Sequence, residues 1–203
     1  MDENKIKTII NEVKGAKIVV ASKYVDYNQI KEMLKLGLCD FGENRTDAFL
    51  EKYENLKGEN ITWHFIGHLQ TNKAKLVASK IDYLHSLDSL RLAQALDKLR
   101  ERPLKCFVEV HMTSSLTKNG VLKEDLPSFL ESLKAYKKIE VIGLMTMTDS
   151  SQSDEEKYKV FKGLKDLASK YNLKELSMGM SDDYKIALSA GSTYVRLGRI
   201  ICM

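Results

Sequence analysis

Residues 18–27 read Ile-Val-Val-Ala-Ser-Lys-Tyr-Val-Asp-Tyr, and the first five of them decide the fold. Four apolar residues in a row, Ile18 to Ala21, have the character of a strand covered on both faces, as in a parallel sheet. Ser22 and Lys23 follow at once, so a lysine stands at the tip of a core strand. The same unit recurs. Apolar runs fall at 18–22, 39–42, 61–66, 81–85, 105–111, 139–145, 175–178 and 193–197, eight in all. Between them lie segments with helical spacing. Leu122, Leu126, Phe129, Leu130 and Leu133 form one amphipathic stripe, Phe161, Leu164, Leu167 and Ala168 a second, and Ile30, Met33 and Leu34 a third. Ser181 with Asp182 and Asp183 has the character of a helix start, and Gly191 of its end.

Eight strands alternating with helices in 203 residues predict an α/β fold, a single compact (β/α)8 TIM-type barrel spanning 1–203. A helix over 4–14 precedes the first strand and is expected to complete the outer ring, because the chain stops soon after the eighth strand. The competing architecture is an open, doubly wound sheet. The barrel is preferred because it makes strands one and eight neighbours.

Composition narrows the function classes. The formal net charge is +4, from 32 basic and 28 acidic residues, a small and dispersed excess that gives little support to nucleic acid as a partner. The densest basic run, 72–75, is expected to be a solvated helix face. Cys39, Cys106 and Cys202 are odd in number and far apart, without metal or disulfide spacing, which suits a reducing cytoplasm. The N-terminal residues are polar and acidic, and no apolar run is long enough to span a bilayer. Neither a GxGxxG motif nor a P-loop occurs.

Function in such a barrel sits at the C-terminal ends of the strands. Those ends hold Ser22-Lys23, Glu43-Asn44, Gly67-His68, Met145-Thr146, Gly179–Ser181 and Arg196–Arg199. The loops after the last two strands are a frequent phosphate site in this fold; here they offer Ser181 and Gly198. Asp182 and Asp183 would oppose an anion there unless they face away. Lys23 beside Arg196 is expected to be partly desolvated and easier to deprotonate, since burial and a like charge both disfavour the ammonium. A neutral amine is what imine formation with an aldehyde requires. An aldehyde that carries a phosphate suggests pyridoxal 5′-phosphate (PLP). Taken singly, Lys23 suits a snorkelling lysine and Ser181 an N-cap; their grouping changes that.

With these motifs in order the chain resembles the pyridoxal phosphate homeostasis proteins. The resemblance runs from about 18 to 199 through Val20–Lys23, Phe41–Asn44, Trp63–Gly67 and Leu69–Lys73. It continues through Lys118 with Gly120, Gly143–Met145, Met178–Asp183 and Gly191–Gly198. It implies a barrel related to that of alanine racemase, with Lys23 carrying PLP as an aldimine. Ser181 and the backbone at Gly198 and Arg199 would hold the phosphate. Arg196 would lie near the pyridine nitrogen and Asn44 near the ring, while 191–193 would lie on the opposite, stabilising face. An arginine keeps its proton, so the ring nitrogen stays unprotonated and the ring is a weak electron sink. The chain departs from the family at residues 200–203, where a further Phe-Gly and a helical tail are usual, and before strand one, which leaves the phosphate loop with less support.

The resulting expectation is a monomeric, cytoplasmic PLP carrier in vitamin B6 homeostasis, serving PLP-dependent apoenzymes. An amino-acid racemase is the alternative. It needs an acid or base on each face of the substrate, and alanine racemases take the opposing residue from a second domain or subunit. Of the other candidates, His64 suits a hydrogen-bonded barrel residue, and with His68 it cannot form a helical zinc pair across Gly67. Glu43 has no carboxylate partner, Cys39 suits packing, and Met145 and Met147 suit core or pocket wall.

Overall fold

The computed structural model describes residues 2–112 and 119–203; Lys118 lies outside the described residues. All eight predicted runs form strands: β1 (Lys17–Ala21), β2 (Asp40–Glu43), β3 (Thr62–Phe65), β4 (Tyr83–Leu87) and β5 (Leu104–His111), then, after a short β6 (Val121–Leu122), β7 (Ile139–Met145), β8 (Glu175–Ser177) and β9 (Tyr194–Leu197). The sheet order is β4-β3-β2-β1-β9-β8-β7-β5, and β4 also pairs with β5, so the eight strands close into a barrel. Every pairing is parallel. An open sheet would leave β1 and β9 apart; instead Lys17 pairs with Tyr194 and Val19 with Arg196.

Around it lie α1 (Glu3–Glu12), α2 (Tyr27–Lys35), α3 (Thr46–Asn55), α4 (Ala74–Val77), α5 (Leu90–Leu99), α6 (Leu126–Leu133), α7 (Asp154–Lys170), α8 (Tyr184–Ser189) and α9 (Arg199–Cys202). The first of these fills the place expected of it in the outer ring. Tyr184 Oη of α8 donates to Glu12 Oε2 at 2.6 Å, and Lys185 Nζ lies 3.2 Å from the same oxygen. One predicted stripe is shorter than expected. Leu122 belongs to β6, half exposed, and α6 starts only at Leu126. Pro127 accounts for this: it has no N–H to give the previous turn, and its ring blocks a helix upstream. The 72–75 run is a solvated surface, with Asn72, Lys73 and Lys75 exposed.

Alternation along the strands makes two apolar layers. Val20, Phe41, Leu84 and Val195 face outward into the layer beneath the helices. Val19, Tyr83, Phe107, Met145 and Tyr194 fill the barrel itself, with Ile66, Ile142 and Met147 against them. Met145 is core, and Met147, partly buried, packs against it. Among the described residues no helix is long and apolar enough to cross a membrane.

Candidate functional site

Lys23 sits on a tight helical turn, Ser22–Tyr24, at the C-terminal end of β1. Its side chain is exposed, with Nζ 4.9 Å from the centre of the Tyr24 ring, and not partly desolvated as the sequence suggested. The reason is geometric. The turn lifts Lys23 out of the barrel, whereas Arg196 lies deeper, level with Val19, four residues before Lys23.

The turn is held from below. Ser22 is buried, and its hydroxyl lies 2.9 Å from Glu43 Oε1 and 3.2 Å from the Gly42 carbonyl oxygen. Lys52 reaches back from α3, donating to the Ser22 carbonyl at 2.6 Å and to Glu43 Oε1. The sequence reading, which looked only for a carboxylate beside Glu43, missed Lys52 as its partner. A hint was available in α3, where Phe49 and Lys52 lie on one face, an i, i+3 pair that brings a lysine to the buried side.

Gly198 brings the last loop against this turn. A Cβ there would lie 2.9 Å from Tyr24 Cε2 and 3.4 Å from Ala21 Cβ, so glycine lets the Tyr24 ring rest directly on the loop backbone. Ser181, after β8, completes the group. Its Oγ accepts from the N–H groups of Gly198 and Ile200, both at 3.3 Å. With its lone pairs so engaged, the hydroxyl hydrogen is left to donate, as an anion at this loop would require.

Ser181 is therefore not an N-cap, contrary to its reading in isolation. The helix starts later, with Asp183 at the cap position, and it has only 6 residues. Any anion contact must come from the Ser181 hydroxyl and the N–H groups around Gly198, where the short α9 begins, rather than from the start of α8. Gly191 does close the helix: Gly191 N–H reaches the Leu188 carbonyl and Ser192 N–H that of Ala187, the paired bonds of a Schellman cap. The aspartates also resolve. Asp182 pairs with Arg199 at the surface. Asp183 is buried and turned inward, accepting from Met180 N–H at 2.6 Å and from the Thr148 hydroxyl.

Arg196 is buried inside the barrel mouth. Its Nη1 donates to the Ser177 carbonyl at 2.8 Å and to Ser177 Oγ at 2.6 Å, and its Nη2 to the Thr146 carbonyl at 3.1 Å. Burial pulls its pKa down to about 10, with Glu109 and Asp183 opposing the shift, so it stays a cation at neutral pH. Glu109 is a second residue the sequence reading missed. It lies buried on β5, and burial, reinforced by Asp88, raises its pKa against Arg196 and His68. The signal was an acid two residues from Phe107, on the same inward face of an apolar strand.

Asn44, exposed, lies further round the mouth. It lines a cleft of about 440 Å³ with Arg45, Phe65, His68, Gln70 and Lys73. His68 pairs with Asp88 at 3.1 Å, whereas His64 is fully buried and hydrogen-bonded within the barrel, as expected. Cys39 is half-buried, at the residue before β2.

Residues 3–203 match the family model for the alanine racemase N-terminal domain. The pyridoxal phosphate homeostasis protein of Aquifex aeolicus is 38% identical over 198 residues, covering 92% of this chain and 86% of that one. That of Synechocystis is 36% identical, covering 92% and 90%. Among solved structures, PipY of Synechococcus elongatus with PLP bound superposes with a TM-score of 0.91 at 27% identity, covering 99% of both chains. Without PLP the same protein gives 0.95 and covers all of both. Alanine racemase from Corynebacterium glutamicum, at 17% identity, shares the fold with a TM-score of 0.73 over 98% of this chain and 59% of that one.

Proposed function

The chain belongs to the pyridoxal phosphate homeostasis protein family, and from that premise we propose that it binds PLP and acts in vitamin B6 homeostasis with little or no turnover. Lys23 Nζ is the attachment point for the cofactor aldehyde. The Ser181 hydroxyl and the backbone at Gly198 and Arg199 hold the phosphate. Arg196 faces the pyridine nitrogen, and Asn44 borders the ring. When bound, PLP supplies an aldehyde that captures amines and a ring that withdraws electrons.

The observation that carries this reading is the contact between the Lys23 turn and the last loop. Gly198 lies against Tyr24, and its N–H is already turned to Ser181, so an amine and an anion-binding loop share one corner of the mouth. The residues fit the cofactor's chemistry: an exposed amine for its aldehyde, a free hydroxyl hydrogen for its phosphate, a fixed cation for its ring. Low turnover follows from Arg196. A guanidinium that is still protonated at neutral pH donates to the ring nitrogen and withholds the proton that would make the ring a strong electron sink. The raised carboxyl of Glu109 is the observation in favour of a racemase-like alternative, because such a group can carry a proton at the mouth. We further place the protein in the cytoplasm, a setting that suits its free cysteines, as a monomer that serves PLP-dependent apoenzymes and binds no nucleic acid.

The test is spectroscopic. Wild-type protein mixed with PLP should develop an imine absorption band that borohydride fixes at Lys23, and Lys23→Ala should lack it while melting as the wild type does. A band unchanged in Lys23→Ala overturns the attachment site. Rapid exchange of amino-acid α-protons into deuterated solvent, lost in Glu109→Gln, would replace the carrier by the racemase-like enzyme.

A further inference from the structure

The barrel interior holds two histidines that the proposed function does not use. His64 and His85 are both fully buried. They lie in a continuous line of polar atoms. His64 Nε2 is 2.9 Å from Asp40 Oδ1. His64 Nδ1 is 2.9 Å from His85 Nε2, and His85 Nδ1 is 2.7 Å from Ser177 Oγ. Ser177 Oγ in turn accepts from Arg196 Nη1 at 2.6 Å.

With both rings neutral, the carboxylate at one end of this line fixes every hydrogen in it. An ionised carboxylate only accepts, so His64 must carry its proton on Nε2 and offer Nδ1 as an acceptor. His85 then donates from Nε2 and accepts at Nδ1, which obliges the Ser177 hydroxyl to donate to it. Ser177 Oγ is left to accept from Arg196, which can only donate. All four bonds point one way, from the mouth to Asp40 at the start of β2. Both rings are neutral in this arrangement, and burial, the leading influence on each, favours the neutral form. Around His64 stand Asp40, Lys17, Asp82 and the stacked Tyr83; around His85 stand Phe107, Tyr194 and Arg196. Both nitrogens of each ring are engaged, so neither histidine is left as a ligand or base.

We propose that His64 and His85 are positioning residues: with Ser177 they form a one-way hydrogen-bond chain, anchored on Asp40, that fixes the Arg196 guanidinium at the barrel mouth. The chain holds Ser177 Oγ with its lone pairs toward Arg196, and that contact adds to the two backbone carbonyls the guanidinium also reaches. The consequence for cofactor affinity rests on the PLP reading above; the chain itself does not.

The test therefore has arms with and without PLP. In cofactor-free protein at pH 7, nitrogen-15 spectra of the histidines should show both as neutral Nε2–H tautomers. An Nδ1–H form at either position overturns the chain's direction. The Arg196 Nη protons should be resolved in the wild type, averaged by free rotation in His85→Phe, and resolved again in His85→Gln, whose amide keeps an acceptor for Ser177 and a donor for His64. Signals indifferent to His85→Phe overturn the positioning role. With PLP, His85→Phe and Ser177→Ala should each bind about tenfold more weakly, the size of one charge-assisted hydrogen bond, and His85→Gln should recover most of the loss. Wild-type affinity in both weakened variants overturns the functional consequence. A wild type that fails to bind PLP removes the carrier reading instead and leaves the two cofactor-free arms to decide the chain.

Discussion

Lys52→Met takes the ammonium away from a carboxylate the fold has buried completely. Glu43 is 0% exposed and Lys52 9%, and the pair lies between β2 and α3, beneath the turn that carries Lys23. In the variant, Glu43 Oε1 keeps the Ser22 hydroxyl at 2.9 Å, while Oε2 has no partner among the described residues even in the wild type. Breaking a buried pair from one side costs about 3–5 kcal/mol, because an uncompensated charge is left behind. For a domain of this size, where 1 kcal/mol shifts the melting temperature by about 2–4 °C, the expected fall is about 6–20 °C. Replacing both partners removes the stranded charge. Glu43→Leu/Lys52→Met should therefore lie within about 1 kcal/mol of the wild type, despite one fewer hydrogen bond to the Ser22 carbonyl. The assay is urea and thermal unfolding of the four proteins of the double-mutant cycle. A single-variant cost below about 1 kcal/mol, or a double variant as damaged as the sum of the singles, would refute the buried-pair argument. The same proteins report on function. Without the Lys52 ammonium to hold the Ser22 carbonyl, the Lys23 turn should loosen, and capture of PLP should slow in the double variant although its stability is restored.

His64 and His85 have folded pKa values held below their ordinary one, burial being the leading cause, so their contribution to stability is complete above about pH 6.5 and lost as pH falls below it. Each should cost about 1.4 kcal/mol per pH unit until it protonates; a melting curve series from pH 7 to 5 should show this, with a shallower slope in His85→Phe, and an unchanged slope would count against it. Gly198→Ala should cost under about 1 kcal/mol, because the Tyr24 ring it meets is 41% exposed and can swing aside, yet PLP affinity should fall several-fold as that ring leaves Lys23; unfolding and cofactor titration separate the two effects. Ser181→Ala leaves the Gly198 and Ile200 N–H groups without their shared acceptor, and about 1 kcal/mol of stability and roughly tenfold in affinity for PLP and for inorganic phosphate should go with it. Retained phosphate affinity would show that the backbone alone holds the anion.

The strands were legible because each is a short apolar run, and burial on both faces needs no partner to be specified. Capping and turn chemistry were also legible where they are local, as at Gly191. Pairings across the barrel were not. Nothing in the spacing of Asp40, His64, His85, Ser177 and Arg196, spread over more than 150 residues, says that they touch. They meet because parallel strands alternate inward and outward, and closure brings inward positions from β2, β3, β4, β8 and β9 into one column.

The sequence by itself determined the eight strands, the outer helix that precedes them, and the grouping of Lys23, Ser181, Arg196 and Gly198 at one end, since order along the chain fixes which strand ends share a face. Only the tertiary structure decided what each of these residues faces. It lifted Lys23 into solvent on a turn, buried Arg196 beneath it, and freed Ser181 from the helix cap. It also gave Glu43 a partner in Lys52. Those outcomes depend on register and helix packing, where a shift of one residue exchanges inside for outside, and local composition carries no record of that choice.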